Sequence, residues 1–267
     1  MGTSSLPQRV NQTVITGIVV ALPEEIVTLT SKRIDKGHCV FIGDKILVAC
    51  AGMGPANATA AAEMLIAKGA TQLISWGCAA ALEPSLRPGD LTLAERLIAA
   101  DNEEITINSD WLMHTKTLLT GSFPTLSTRQ KQAILHTGTL TESTAIVSSG
   151  KVKKQLHSFT EALALDMESG AIAKVAQKYV IPFLAIRAIA DPANTGLPDA
   201  VVYATNADGK VAIDKLLAYL VLHPAQLPEL IKLGIYFNKA KQTLKQAAVL
   251  LELITEFNFP HTNRQFL

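Results

Sequence analysis

The chain has 267 residues, of which 48% are hydrophobic and 18% are charged, and its formal net charge is +1. This length and apolar content predict one α/β domain with a single hydrophobic core. A net charge so close to zero excludes the strong positive field that captures a nucleic-acid backbone, so we expect no nucleic-acid partner.

The first half of the chain alternates apolar strands with an Ala-rich helix. Residues 14–22 form a continuous apolar run that stops at Pro23, which is typical of a strand buried on both faces. Further strands are predicted at residues 46–51, 73–76 and 91–99. Pro55 precedes the Ala-rich segment 56–67, and this composition with a proline at the first turn predicts a helix.

The second half has a weakly patterned middle and a helical end. Residues 101–132 are predicted to be irregular, with a helix near 111–120. Strands are predicted at 163–165 and 183–189, on either side of a helix at about 168–179. After residue 214 the strands cease, and helices are predicted at about 211–222 and 227–257.

Strands that alternate with helices indicate a largely parallel sheet with crossover helices on both faces. We divide the chain into an extended or disordered segment 1–13, a domain 14–222 and a helical C-terminal extension 223–267. In such sheets ligands bind beyond the carboxyl ends of the strands, so residues that directly follow a strand are candidates for function.

No sequence signal for export, membrane insertion or a bound metal is present. Residues 1–12 lack the apolar core of a signal peptide, and no uninterrupted apolar run reaches about 18 residues. The three cysteines form no C-x-x-C pair, and the six histidines are scattered. These features predict a cytoplasmic protein without a metal.

The segment 52–57 is similar to a dinucleotide-binding fingerprint, but it departs from that pattern. Asn57 stands at the third glycine position, and no acidic residue follows about 20 positions later. We therefore expect no cofactor.

Carboxylates follow three of the predicted strands. Glu24 and Glu25 follow the first, Glu168 follows the strand at 163–165, and Asp191 follows the strand at 183–189. Each has an ordinary structural alternative, because acidic residues favour helix N-termini and aspartate before proline is a common turn former. Placing three carboxylates close together at one edge of the sheet costs free energy, so together they predict a functional site.

Four ordered motifs carry a family resemblance. They are GIVVALPEE, AGMGPANA, ALDMESGAIA and RAIAD, at residues 17–25, 51–58, 164–173 and 187–191. With them the chain resembles the purine nucleoside phosphorylase superfamily, most closely its methylthioadenosine/S-adenosylhomocysteine nucleosidase branch. The resemblance implies a three-layer α/β/α fold with a mixed, largely parallel central sheet and extra C-terminal helices. It also implies a homodimer that cleaves the N-glycosidic bond of a purine nucleoside.

The resemblance implies a role for each matching residue. Asp191 matches the general acid that protonates N7 of the departing purine. Met167 and Glu168 match the pair beneath the ribose, where Glu168 accepts hydrogen bonds from the hydroxyls. Glu25 matches the carboxylate that activates the attacking water. Further predicted nucleoside-binding residues are Met53, Gly77, Cys78, Ala79 and Arg187.

The nucleophile is either water or phosphate. Phosphorylases of this family usually place an arginine where this chain has Ser75, and the carboxylate of Glu25 would repel phosphate. Hydrolysis is therefore the favoured reaction, with phosphorolysis as the alternative if an arginine such as Arg87 reaches the site. A third alternative is a catalytically silent nucleoside-binding protein. The presence of all three carboxylates argues against it.

The sequence also departs from the nucleosidases near the expected site. Residues 78–81 read Cys-Ala-Ala-Ala in place of Ser-Ala-Gly-Gly, and Ala190 replaces the serine before the catalytic aspartate. The aromatic residue that stacks on the purine has no clear counterpart near Ile146 and Val147. We interpret Cys78 as a structural residue rather than a catalytic thiol.

The segment from His223 onward is expected to be absent from the usual nucleosidases. It resembles the tail of the hopanoid-associated phosphorylases, which implies adenosylhopane, a 5′-substituted adenosine, as a special substrate. Its apolar residues lie at helical spacing with lysines between them: Leu230, Leu233, Phe237 and Leu244. Such a helix either packs on the core or a partner subunit, or it contacts a membrane surface.

Overall fold

The computed structural model describes residues 14–107, 109–126, 133–205 and 212–257. The strands are β1 (Thr16–Val20), β2 (Cys39–Ile42), β3 (Ile46–Cys50), β4 (Gln72–Ala81), β5 (Leu91–Ile98), β6 (Glu104–Thr106), β7 (Leu135–Glu142), β8 (Ala164–Asp166) and β9 (Phe183–Asp191). The helices are α1 (Pro23–Ile26), α2 (Pro55–Ala67), α3 (Ser109–Leu126), α4 (Gly150–Thr160), α5 (Ser169–Lys178), α6 (Asp199–Ala204), α7 (Ile213–Leu222), α8 (Leu227–Ala248) and α9 (Leu251–Thr255). The predicted segment 1–13 and the end of the predicted extension, residues 258–267, lie outside these ranges.

The apolar runs of the first half form the buried centre of the sheet. Strands β1 and β3 are buried at every position, and helix α2 packs against both of them. They pair in parallel, with Ile18 opposite Val48, and β1 also pairs in parallel with β4. A continuous apolar sequence without polar alternation is what such two-sided burial requires.

The sheet is mixed, as the resemblance implied, and part of it closes on itself. Among the described strands, five pairs are parallel and four are antiparallel. Strand β9 pairs with both β4 and β5, while β4 also leads to β5 through β8 and β7. These pairings complete a ring of five strands, a barrel-like closure that the sequence pattern did not predict.

Helices pack on this sheet in two groups. Helix α2 packs with α5, whereas α3 packs with α8 and α9. This agrees with the predicted α/β class with layers of helices around a central sheet.

Several elements differ from the sequence-based prediction. Strand β4 continues through Gly77 to Ala81, although the prediction ended it at residue 76. It continues because β9 and β8 both pair with its second half. Strand β7 and helix α4 lie in a region for which nothing was predicted. The sequence of β7, LHTGTLTE, lacks the apolar run of a buried strand because β7 is only partly buried. Other unpredicted elements are α1, β2, β6 and α6.

The C-terminal helices belong to the same core as the rest of the chain. Leu244 and Ala247 of α8 and Ile254 of α9 are fully buried in the main hydrophobic cluster. Thr243 donates a hydrogen bond to the carbonyl of Gly89 over 2.6 Å. The buried faces of α8 and α9 are therefore part of the same hydrophobic core as the sheet. No helix among the described residues is long and apolar enough to cross a membrane.

Replacing Leu244 with alanine should destabilise the protein by about 2–5 kcal/mol, because the removed atoms leave a cavity in a fully buried site. Ile231→Ala is the matched control on the same helix, since Ile231 is 55% exposed, and it should change stability by less than about 0.5 kcal/mol. Chemical denaturation measures both. Equal effects of the two substitutions would contradict the placement of α8 in the core.

Candidate active site

Glu25 is fixed by the start of the short helix that follows β1. Pro23 begins α1, and the backbone N–H of Leu22 donates to Glu25 Oε2 over 3.1 Å. The other carboxylate oxygen accepts a hydrogen bond of 2.7 Å from the N–H of Cys78 in β4. Glu25 is buried, and this burial raises the pKa of its carboxyl against the opposing effect of Arg187. The site thus holds a carboxylate with a higher than ordinary proton affinity.

Arg187 is a buried cation in the middle of the site. Its Nε lies 2.8 Å from Asp166 Oδ2, and its Nη2 donates to Ser75 Oγ over 2.5 Å. Glu168 Oε2 lies 3.7 Å from the same Nη2. Only 1% of the Arg187 surface is exposed, so these partners satisfy a charge that water cannot reach.

Gly77 leaves the space that Arg187 and Glu25 occupy. A Cβ atom at this position would lie 2.6 Å from Arg187 Nη1 and 2.8 Å from Glu25 Oε1. Both distances are well below van der Waals contact. Any side chain here would therefore displace the guanidinium or the carboxylate.

Glu168 joins two of the sequence motifs. It lies at the N-terminus of α5, and its Oε1 accepts a hydrogen bond of 3.0 Å from the N–H of Gly54. Gly54 has a φ of 91°, a conformation that favours glycine. Burial raises the pKa of the Glu168 carboxyl to about 7, although Arg187 lowers it. The segment 52–57 thus orients this carboxylate.

Asp191 is the last residue of β9 and is also buried. Its Oδ2 accepts a hydrogen bond of 2.5 Å from Lys153 Nζ, and Thr195 Oγ1 lies 3.4 Å from its Oδ1. Burial raises the pKa of this carboxyl, and the ammonium group of Lys153 acts in the opposite direction. Two side chains, Lys153 and Thr195, thus contact the Asp191 carboxylate.

The register of β4 and β9 brings the separate motifs to one place. Gly77 is opposite Arg187, and Ala80 is opposite Asp191 after an irregularity in the pairing. Because Glu25 binds the N–H of Cys78, it lies two residues along β4 from the partner of Asp191. The predicted carboxylates Glu25 and Asp191 therefore lie along the second halves of the same pair of strands.

The remaining predicted binding residues differ in exposure. Met53, Cys78 and Met167 are partly exposed, whereas Ala79 is buried. Burial and the neighbouring Glu25 raise the pKa of the Cys78 thiol well above its ordinary value, so the thiol stays protonated. This favours the interpretation of Cys78 as a structural residue.

Lys153 was missed by the sequence analysis. It lies in α4, an unpredicted helix, within the run Lys151-Val152-Lys153-Lys154. Nothing in that run distinguishes the buried lysine from its exposed neighbours. Among the described residues, no three His, Cys, Asp or Glu side chains are grouped so that they could hold a metal ion.

Comparison with known proteins defines the family. The profile of the phosphorylase superfamily matches residues 16–221, so the chain belongs to that superfamily of enzymes. The chain is 27% identical over 227 residues to the 5′-methylthioadenosine/S-adenosylhomocysteine nucleosidase of Baumannia cicadellinicola subsp. Homalodisca coagulata, covering 78% of this chain and 96% of that protein. The predicted family and the expectation of an enzyme are thereby confirmed.

Solved structures show the same fold. The 5′-methylthioadenosine/S-adenosylhomocysteine nucleosidase of Helicobacter pylori aligns with a TM-score of 0.65 and 20% identity, over 91% of this chain and 98% of its own. The futalosine hydrolase of the same organism aligns with a TM-score of 0.63 and 18% identity, over 91% and 97%. An alignment over 91% of this chain necessarily extends beyond residue 222. Part of the segment after His223 is therefore included in these alignments.

Gly77→Ala should destabilise the protein by about 1–3 kcal/mol, because the added methyl group overlaps Arg187 and Glu25. The control is Gly234→Ala in α8, where an added Cβ meets no atom within 4 Å and helix propensity improves. Thermal unfolding of both variants measures the difference. A Gly77→Ala variant as stable as the control would mean that the two charged groups are not held in place.

Proposed function

We propose that this enzyme cleaves the N-glycosidic bond of a 5′-modified adenosine and releases adenine. The observation that carries the proposal is that three buried carboxylates beside the second halves of β4 and β9 each accept hydrogen bonds from different donors. Glu25 binds backbone N–H groups, Glu168 binds Gly54, and Asp191 binds Lys153. Different environments for neighbouring carboxylates are how a site assigns acid and base roles.

Asp191 acts as the general acid on the leaving group. Protonation of N7 lets the purine depart as a neutral base, which lowers the barrier to breaking the C1′–N9 bond. The acid must hold its proton near neutral pH, and the raised pKa of Asp191 supports this role.

Glu168 and Met167 form the floor beneath the ribose. The Glu168 carboxylate accepts hydrogen bonds from the ribose hydroxyls, and its negative charge stabilises the cationic sugar as the bond breaks. Its position is supported by the hydrogen bond from Gly54, which fixes one oxygen and leaves the other near Arg187.

Glu25 acts as the base that activates water. Its raised pKa makes it a better base than an exposed glutamate, and two backbone donors hold it in one orientation. Phosphate is disfavoured because Glu25 would repel it, and Arg187 already binds Asp166 and Ser75. Phosphorolysis remains the alternative, and nucleoside binding without turnover is the other outcome that the assay distinguishes.

Adenine release from methylthioadenosine should proceed in phosphate-free buffer. Asp191→Asn and Glu25→Gln should each lower kcat by roughly 10²–10⁴-fold, because each removes a proton-transfer group. Glu24→Gln is the matched control, since Glu24 is exposed beside Glu25. Release that requires phosphate would establish a phosphorylase. Substrate binding without release in either buffer would support a silent nucleoside-binding protein.

The 5′-substituent is proposed to be lipidic, as in adenosylhopane. Exposed apolar side chains form stripes on two consecutive helices, namely Leu217 and Val221 on α7 and Leu227, Ile231 and Ile235 on α8. Tyr219 of α7 contacts Tyr203 of α6, the helix that follows the loop after Asp191. These stripes, which we call the α7–α8 apolar surface, support contact with a membrane from which such a substrate is taken.

A cytoplasmic homodimer is the assembly we propose.

Substituting Leu217, Val221 and Ile231 with serine should lower turnover of a long-chain 5′-alkyl adenosine presented in vesicles by at least about tenfold, because apolar contact area is lost. Turnover of methylthioadenosine should stay unchanged. Leu253→Ser, on α9, is the control for a general loss of exposed apolar surface. Deletion of the C-terminal segment cannot serve here, because α8 is part of the core. Equal losses on both substrates would refute the lipid proposal.

A further inference from the structure

Lys153 is buried at the start of α4, with none of its surface exposed. Its Nζ lies 2.5 Å from Asp191 Oδ2, 3.0 Å from the carbonyl oxygen of Pro192 and 2.9 Å from that of Thr195. An ammonium group has three protons to donate, and these three acceptors match them. The side chain is therefore held in one position against the last residue of β9.

The same helix shows that this burial is specific. Lys151 and Lys154 lie on either side of Lys153 in the sequence, and both are exposed. A buried ion pair is weak support for stability, because the cost of removing two charges from water offsets their attraction. An apolar residue at this position would avoid that cost. The pair is better explained by what the ammonium does to Asp191.

The charges around the site fall into two separate sets. Arg187 acts on Glu25, Asp166 and Glu168, on the side of the sugar and the nucleophile. The charge that acts on Asp191 is that of Lys153, and the charge that acts on Lys153 is that of Asp191. Thr195, in the loop after β9, adds a hydroxyl at the second carboxylate oxygen.

The one histidine of α4 is paired with a residue other than Asp191. His157, one turn further along this helix, lies 3.2 Å from Glu83. Within the part of the chain that the structure describes, the cation beside Asp191 is thus Lys153, whereas Arg187 lies beside Glu25 and Glu168.

We propose that Lys153 is the positioning residue for leaving-group protonation, holding Asp191 Oδ2 so that Oδ1 faces the purine and stabilising the carboxylate left after proton transfer. The inference rests on the proposed function. In this step the Asp191 O–H bond breaks and an N7–H bond forms, while the electron pair of the C1′–N9 bond passes to the purine. Asp191 ends as a carboxylate beside the Lys153 ammonium. Lys153 itself does not touch the substrate.

The pairing also sets the strength of the acid. Burial raises the pKa of the Asp191 carboxyl, whereas the adjacent ammonium lowers it and makes the carboxyl a stronger acid. Without Lys153 the pKa of Asp191 rises. The loss of rate at high pH, where the protonated acid is depleted, should then begin at a higher pH than in the wild-type enzyme.

The test compares two substrates that differ in the leaving group. Methylthioadenosine requires protonation of its base, whereas 4-nitrophenyl 5-methylthioribofuranoside releases a phenolate that requires none. Lys153→Met should lower kcat on methylthioadenosine by roughly 10²-fold, with an alkaline shift of the pH profile. On the nitrophenyl riboside the loss should be at least tenfold smaller. Lys154→Met is the matched control on the same helix and should leave both rates unchanged.

Equal losses on both substrates, with no shift of the pH profile, would overturn the proposal and leave Lys153 with a structural role. Lys153→Gln gives a second reading, because its amide donates a hydrogen bond without a charge. Wild-type rates in this variant would show that the charge is not needed, which also overturns the proposal. A wild-type enzyme that releases no adenine would contradict the proposed function instead.

A test that needs no change at Lys153 is available if neither variant folds. Among the described lysines Lys153 alone is buried, so in protein labelled with ¹⁵N-lysine it should give a slowly exchanging ammonium resonance. That resonance should shift in Asp191→Asn. An ammonium resonance that does not respond to this substitution would refute the pairing.

Discussion

The site depends on one buried cation, the guanidinium of Arg187 in the middle of β9. It is almost fully shielded from water, and it gathers Asp166, Glu168 and Glu25 around it. Removing any one partner would leave an uncompensated charge in a medium of low dielectric, which is costly. Gly77, opposite Arg187 in β4, provides the space for this arrangement. The positions of Asp166, Glu168 and Glu25 therefore follow from a single charge inside the sheet.

The closed part of the sheet explains how distant motifs share this charge. Strand β9 pairs with β4 on one side and β5 on the other, so both of its edges are bonded and Arg187 cannot shift along the sheet. Strand β8 pairs with the end of β4 and delivers Asp166 and Glu168. The ring thus fixes the positions of the strands relative to one another, and with them the separation between Asp191 and Glu25.

Two different cations lie beside the carboxylates of the site, so the carboxylates have different electrostatic environments. Arg187 influences the proton affinities of Glu25 and Glu168, while Lys153 influences that of Asp191. A single shared cation would couple the titrations of all three groups. Separate partners instead let the pKa values of Asp191 and Glu25 be set independently, which the proposed acid and base roles require.

The sequence by itself determined the α/β class, the buried strands β1 and β3, and the motif residues Glu25, Glu168, Arg187 and Asp191, because apolar runs and residue identities are local properties. Only the tertiary structure decided the second half of β4, the polar strand β7, the place of α8 in the core and the burial of Lys153 beside Asp191. These depend on partners far away in the chain: β9 extends β4, and the carbonyl groups after Asp191 select one lysine from a run of similar ones. Local composition does not predict such long-range pairing.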